Sequence, residues 1–271
     1  MGYEKELRVA LDAASHASRL ILRDYAAFLQ IPDAPADIST DTDRRSQECI
    51  IKHIRAEFPV DSLCAEEATP GSKDCPMNAA RIWIIDPIDG TRGFARKNGE
   101  FSVMIALVEE GRIAVGVVAE PEKNRLTYSI QGAGCWKSDD GSKPPTRCRV
   151  TTTAELGRSS VTQSHSKSRA EPSKYIRSLN PASVVETYSA GIKLALVARG
   201  EADIYLNTYD ACHDWDICAG MILVEEAGGQ VTNLRGERPR FGLPGAVQKG
   251  GLLASNGILH SAALAALQSD F

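Results

Sequence analysis

The chain has 271 residues, 43% hydrophobic and 24% charged, enough to bury a sizeable core in one large domain or two lobes. Its net charge of −4, with acids and bases interspersed, argues against a nucleic acid polymer or a membrane as partner. Seven cysteines form no CxxC pair, no basic segment leads into an apolar core at the N-terminus and no apolar run reaches membrane length; the expectation is an unexported, unanchored protein in a reducing cytoplasm. Leu7, Leu11, Ala14, Ala17, Ile21, Leu22, Tyr25 and Phe28 recur at helical spacing and predict an amphipathic helix over 4–29, closed by Pro32. After a loop at 32–39, Thr40 or Thr42 caps a second helix with Cys49, Ile50, Ile54 and Phe58 on its apolar face, so Asp41 and Asp43 fall in or near its first turn.

A short strand around Leu63 ends at Glu66-Glu67, and Ile82 to Ile85 read as a strand buried on both faces. Two apolar runs within 101–118 flank Glu109-Glu110-Gly111 as an antiparallel hairpin, followed by strands at 126–130 and 135–136. The polar, turn-rich stretch 137–148 reads as a lobe boundary or surface loop. Beyond it, strands near Val161, Val184, Ile204, Val231 and Leu252 alternate with helical patterns at 167–179, 190–199, 216–228 and 258–268. The class is therefore α/β, with an α+β lobe over 1–150, antiparallel sheet included, and an α/β lobe over 151–271.

Chemistry concentrates in RIWIIDPIDGT at 81–91. The buried strand stops at Asp86, Pro87 fixes φ and cannot donate to a ladder, and the turn brings Asp86 and Asp89 toward a common point and frees the Ile88 carbonyl. Oxygen donors packed this closely suit a hard divalent cation, Mg²⁺ above all. Gly90 permits close approach of backbone to a ligand, and the Gly90 and Thr91 amides can face a phosphate if a helix or turn begins there. A surface turn whose aspartates only cap a helix is the plainer alternative. Glu66, Asp216 and Asp43 are further acids for the same site, against readings as a solvent-facing charge for Glu66 and as helix-dipole acids for the other two.

DPIDGT with an upstream EE and a downstream WDICAG and EEAGG resembles the metal-dependent, lithium-sensitive phosphatase superfamily of inositol monophosphatases, fructose bisphosphatases and bisphosphate nucleotidases. The motifs occur in the family's order over most of the chain. The resemblance implies a layered αβαβα sandwich, metal ligands at Glu66, Asp86, the Ile88 carbonyl, Asp89 and Asp216, and two or three Mg²⁺ ions per site. It implies direct attack of a metal-activated water, with Thr91 and Asp43 as the pair that orients and deprotonates it and Glu66 as a further catalytic acid. Clustered carboxylates would raise one another's pKa values unless cations neutralised them, which agrees with that set.

TRGFARKNGEFSVMIAL at 91–107 is similar to the bisphosphate nucleotidase branch, which removes the 3'-phosphate of 3'-phosphoadenosine 5'-phosphate. His165 in VTQSHS and Lys193 in SAGIKLAL match further segments of that branch, and Arg96 and Lys97 are near enough in sequence to touch a second phosphate. Substrate contacts are thus expected at Gly90, Thr91, Lys193, His165 and Asp216. The plainer readings are a solvent-facing Lys193 and a His165 that satisfies local hydrogen bonds. Ser189-Ala190-Gly191 stands where the branch commonly has GSS, and His213 before Asp216 is similar to inositol monophosphatases. The expected partner is a small phosphate ester, with an inositol, sugar or histidinol monophosphate as second substrate and the chain a monomer or homodimer. A non-catalytic nucleotide or metal sensor would carry a substitution at Thr91 or Glu66, and both residues are in place.

Overall fold

The computed structural model of the protein describes residues 2–72, 80–165, 172–243 and 245–268. In chain order it contains α1 (Glu4–Ala27), α2 (Asp41–Glu57), β1 (Ser62–Ala65), β2 (Arg81–Asp89), α3 (Thr91–Ala95), β3 (Ser102–Glu109), β4 (Arg112–Glu120), β5 (Arg125–Ile130), β6 (Gly134–Asp139) and β7 (Thr146–Arg147). There follow β8 (Ser160–Gln163), α4 (Lys174–Leu179), β9 (Ser183–Glu186), α5 (Ala190–Ala198), β10 (Ile204–Asn207), β11 (Ala211–His213), α6 (Asp214–Glu226), β12 (Gln230–Thr232), β13 (Val247–Lys249), β14 (Leu252–Ser255) and α7 (His260–Gln268).

The first sheet runs β1 to β7 in sequence order, parallel between β1 and β2 and antiparallel elsewhere. The second has the order β12-β14-β10-β8-β9, and β11 with β13 forms a separate ribbon. Helices α1 and α2 pack on each other and on one face of the first sheet. On its other face lie α5 and α6, which also contact the second sheet; α4 and α7 pack together beyond that sheet, α7 against β14. The layers are α, β, α, β, α, as the resemblance implies. Three apolar cores follow this order, one under α1 and α2, one around α5 and α6, and one beneath α4 and α7.

Local chemistry explains most boundaries. Thr40 caps α2 by accepting the Thr42 N–H, while the Asp43 carboxylate accepts the Thr40 N–H at 2.9 Å, a reciprocal capping box that fixes the Asp43 side chain. Helix α1 ends at Ala27 because Phe28 turns extended, which lets its ring pack edge-on against Phe94. The segment at 137–148 is not a lobe boundary loop throughout: β6 continues to Asp139 and the two-residue strand β7 pairs with it. An edge strand that short and polar leaves no period-2 signal. The helix expected over 167–179 starts only at Lys174, because Ser173 caps it by accepting the Ile176 N–H; residues 167–171 lie outside the described residues.

Gly116 on β4 sets the distance between the first sheet and α6. A Cβ there would fall 2.6 Å from the Ala219 carbonyl oxygen and 2.3 Å from an Ile222 methyl. Gly116→Ala should therefore destabilise the protein by about 1–3 kcal/mol through forced separation of β4 and α6. Chemical denaturation measures this, and a variant as stable as wild type would show that the packing yields.

Candidate active site

The cleft opens where β2 ends. Its backbone does not stop at Asp86, as the proline implied, but resumes pairing at Asp89: Asp86 faces Met104 and Asp89 faces Ser102, so three residue steps on β2 oppose two on β3. Pro87 has no N–H to give the ladder, and the bulge accommodates it. The carbonyls freed there are used, that of Pro87 by Ser46 Oγ at 3.0 Å and that of Ile88 by Thr91 Oγ1 at 2.9 Å. Gly90 has φ +86°, and a Cβ on it would lie 2.6 Å from the Glu100 carbonyl oxygen, so no other residue fits without strain. Parallel pairing of β1 with β2 carries Glu66 alongside, its N–H donating to the Ile85 carbonyl, and α6 brings Asp216 from the second half of the chain.

One cleft of about 500 Å³ is lined by Glu66, Asp86, Ile88, Asp89, Gly90, Thr91, His165, Lys193 and Asp216. Every predicted site residue except Asp43 therefore borders one space, and Asp43 stands behind Thr91. A larger depression of about 700 Å³ around Arg238, Arg240 and Leu252 contains none of them.

Glu66, Asp86 and Asp216 are protonated more readily than free carboxylates. Burial pushes Glu66 up to about 8, with Asp43, Asp216 and Glu67 adding repulsion and a hydrogen bond from Asp86 opposing it. Glu66 is itself exposed to the open cleft, so solvent tempers this upward push. Burial first, then the charges of Glu66, Asp89 and Asp216, raise Asp86 well above the carboxylate range. Asp86 is 2% exposed, and its Oδ1 has no hydrogen-bond partner. Burial likewise lifts Asp216 to about 6, against the His213 N–H that it accepts.

Asp89 is held differently. Its Oδ2 accepts from Ser102 Oγ, Ser189 Oγ and the Gly191 N–H, and its Oδ1 accepts the Ala190 N–H at 3.1 Å. The carboxylate thus caps α5 and ties the two halves of the chain together. Thr91 Oγ1 lies 2.8 Å from Asp43 Oδ1, and burial raises the Asp43 pKa against the hydrogen bonds it accepts from Thr40 and Thr91.

Two expected substrate contacts are otherwise engaged. Lys193 is 1% exposed, and its ammonium donates to Ser164 Oγ and to the Thr187 and Tyr188 carbonyls at 2.9–3.1 Å. All three of its protons have partners, so it is neither solvent-facing nor free to hold a phosphate; burial depresses it to about 8. His165 bridges Glu100 at 2.7 Å and Glu186 at 3.5 Å, and its ring packs on Tyr188. Lys97 turns away to the Tyr25 carbonyl and ring. Sequence reasoning missed Ser102, Ser189, Glu100, Tyr188 and Arg92. Only Ser189 carried a usable signal, as an N-cap before AGIKLAL.

Glu66, Asp86, Asp89 and Asp216 thus border one cleft at the end of a buried strand, with the Thr91–Asp43 pair beside them, and oxygen donors of this kind suit a hard cation. Residues 3–270 match the model of the inositol monophosphatase family. The chain is 32% identical to a histidinol-phosphatase of Mycobacterium tuberculosis over 97% of its own length and 98% of that protein's. It is 33% identical to a fructose-1,6-bisphosphatase/inositol-1-monophosphatase of Thermotoga maritima, covering 83% and 80% of the two chains. The solved structure of a Thermotoga maritima IMPase superposes with a TM-score of 0.81 at 28% identity, covering 98% of this chain and 97% of that one. The chain belongs to the inositol monophosphatase family, whose members are phosphoric monoester hydrolases.

The raised pKa values set the pH dependence of the metal-free protein. Folded Glu66, Asp86 and Asp216 hold protons that the unfolded chain releases, so their contribution to stability is complete below about pH 4 and lost as pH rises through about 6 and about 8. In EDTA the Tm of wild type should fall from pH 5 to pH 8 more steeply than that of Asp86→Asn, with Mg²⁺ reversing the fall at pH 8. Parallel Tm slopes for the two proteins would contradict this.

Proposed function

We propose that the protein is a Mg²⁺-dependent phosphomonoesterase whose ion site is made by Glu66, Asp86, the Ile88 carbonyl, Asp89 and Asp216. The observation that carries this is Asp86, a buried carboxylate at the centre of the acid cluster with one oxygen unpartnered. An all-oxygen set of this charge fits a hard divalent cation. Among the described residues no three His, Cys, Asp or Glu side chains stand close enough together, as they are placed, to hold a metal ion. Such an ion would be held by Asp86 together with Glu66, the Ile88 carbonyl, Asp89 and Asp216, which border the same cleft. Bound Mg²⁺ supplies positive charge to the phosphoryl oxygens and acidifies the attacking water.

The chain's own residues do the rest. Thr91 Oγ1 passes its proton to Asp43 Oδ1 as it takes one from the attacking water, and the Thr40 contacts keep Asp43 aimed at Thr91. Gly90 borders the cleft, and its lack of a side chain lets the Ile88–Thr91 turn pack against the backbone of Glu100 and Ser189. Glu66 would be a further acid at the site, ionised when it holds the ion.

For the substrate we favour 3'-phosphoadenosine 5'-phosphate, on the run TRGFARKNGEFSV. Part of that run is scaffold: Glu100 holds His165 and the Tyr188 N–H, and Phe101 packs on Tyr25 and Phe94. A histidinol, inositol or sugar monophosphate is the second reading, supported by the activities for which the relatives are named and by His213 at the cleft edge. Comparing Mg²⁺-dependent phosphate release from 3'-phosphoadenosine 5'-phosphate, histidinol phosphate and inositol 1-phosphate decides between them, and a preference for either monophosphate selects the second.

Asp86→Asn should abolish Mg²⁺-dependent release from every ester while leaving the far-UV spectrum unchanged. Thr91→Val should lower kcat roughly 10²- to 10⁴-fold, and Thr91→Ser should retain most of it. Full turnover by folded Asp86→Asn would overturn the ion assignment.

A further inference from the structure

Arg92 lines the cleft one residue beyond Thr91. Its Nε is buried with no hydrogen-bond partner, and among the described residues nothing else accepts from its guanidinium. The group rests on the ring of Tyr188, its Cζ 5.3 Å from the centroid, and Arg96 stands 5.9 Å from the same ring. An aromatic face holds a guanidinium by its plane and leaves its N–H edge free. A buried N–H without an acceptor is costly, so this edge is expected to meet one in the working state.

The other cations bordering the cleft are committed. Lys193 has its three protons engaged, His165 lies between two glutamates, and His213 stacks on Trp215 beside Asp216. Arg92 is therefore the one cation among the described cleft residues with a free donor edge. It needs no part in balancing the acids, since no carboxylate lies within ion-pair distance of it among the described residues. A planar fork with two parallel donors matches the oxygens of a phosphate.

We infer that Arg92 is a specificity-determining residue that binds a second phosphate on the substrate, at a position distinct from the phosphate being hydrolysed. This rests on the phosphomonoesterase reading of the cleft. It assigns to Arg92 the second-phosphate contact expected of Arg96 and Lys97, and it makes the favoured substrate class a bisphosphate rather than a simple monoester.

The test uses two esters that differ only in the second phosphate, 3'-phosphoadenosine 5'-phosphate and adenosine 3'-phosphate. Arg92→Gln should raise KM for the bisphosphate at least about tenfold more than for the monophosphate, as loss of a charge-assisted hydrogen bond implies, with similar kcat changes for the two. Arg92→Lys, which keeps the charge without the fork, should fall between. Equal KM changes for both esters would overturn the inference, because Arg92 would then serve the scissile phosphate or the fold.

A second readout does not need turnover. By calorimetry the wild-type, Mg²⁺-loaded protein should bind adenosine 5'-phosphate at least about tenfold more tightly than adenosine, and Arg92→Gln should erase the difference. If that preference holds while no ester releases phosphate, the phosphomonoesterase reading fails and the anion site stands. If esters are hydrolysed without any preference for a second phosphate, the anion site fails alone.

Discussion

Like charges confined at the end of a buried strand are the constraint on which this molecule is organised. Asp86 has almost no surface, and the charges of Glu66, Asp89 and Asp216 reach it where water cannot screen Asp86 directly. Protons can relieve the repulsion at low pH, and a divalent cation can relieve it at neutral pH. On the proposed reading that strain favours ion capture, and the ion then does chemistry at the place where the fold is least able to keep acids ionised alone.

The scaffold concentrates these acids from separate parts of the chain by few devices. Parallel pairing of β1 and β2 places Glu66 beside the bulge, and the bulge leaves both Asp86 and Asp89 bordering the cleft without ending the strand. Asp89 then caps α5, so the residue that borders the cleft also docks the middle helical layer onto the first sheet. The start of α6 is fixed by Asp214, buried and accepting from the Gly242 N–H and the Gln248 side chain, which steadies Asp216 two residues on. A change at Asp89 or Asp214 is thus expected to act on packing as well as on the cleft.

Much of this was legible before any coordinates. Periodicity placed α1 and the hairpin of β3 and β4, turn chemistry placed Gly90, and the Thr40 cap announced α2 together with the position of Asp43. The acidic motifs stand around one cleft, as their resemblance to the family implied. What escaped depends on contacts across long stretches of sequence. Nothing in SAGIKLAL reveals that Lys193 folds back on Thr187 and Tyr188, because burial and partners are set by α5 packing between two sheets. NGEF read as a substrate signal, whereas Glu100 ties His165 and Tyr188 to the back of the metal loop. Arg92 gave no signal because an arginine without a partner looks in sequence like any other.

The central claim is that the cluster around Asp86 is an ion site, and crystals soaked in Mn²⁺ test it most directly. Anomalous difference density should appear in the cleft between Glu66, Asp86, the Ile88 carbonyl, Asp89 and Asp216, with oxygen ligands at about 2.0–2.2 Å as expected for an ion of Mg²⁺-like coordination. Saturating Mn²⁺ that leaves this cleft without a peak, or that binds only elsewhere on the molecule, would contradict the account.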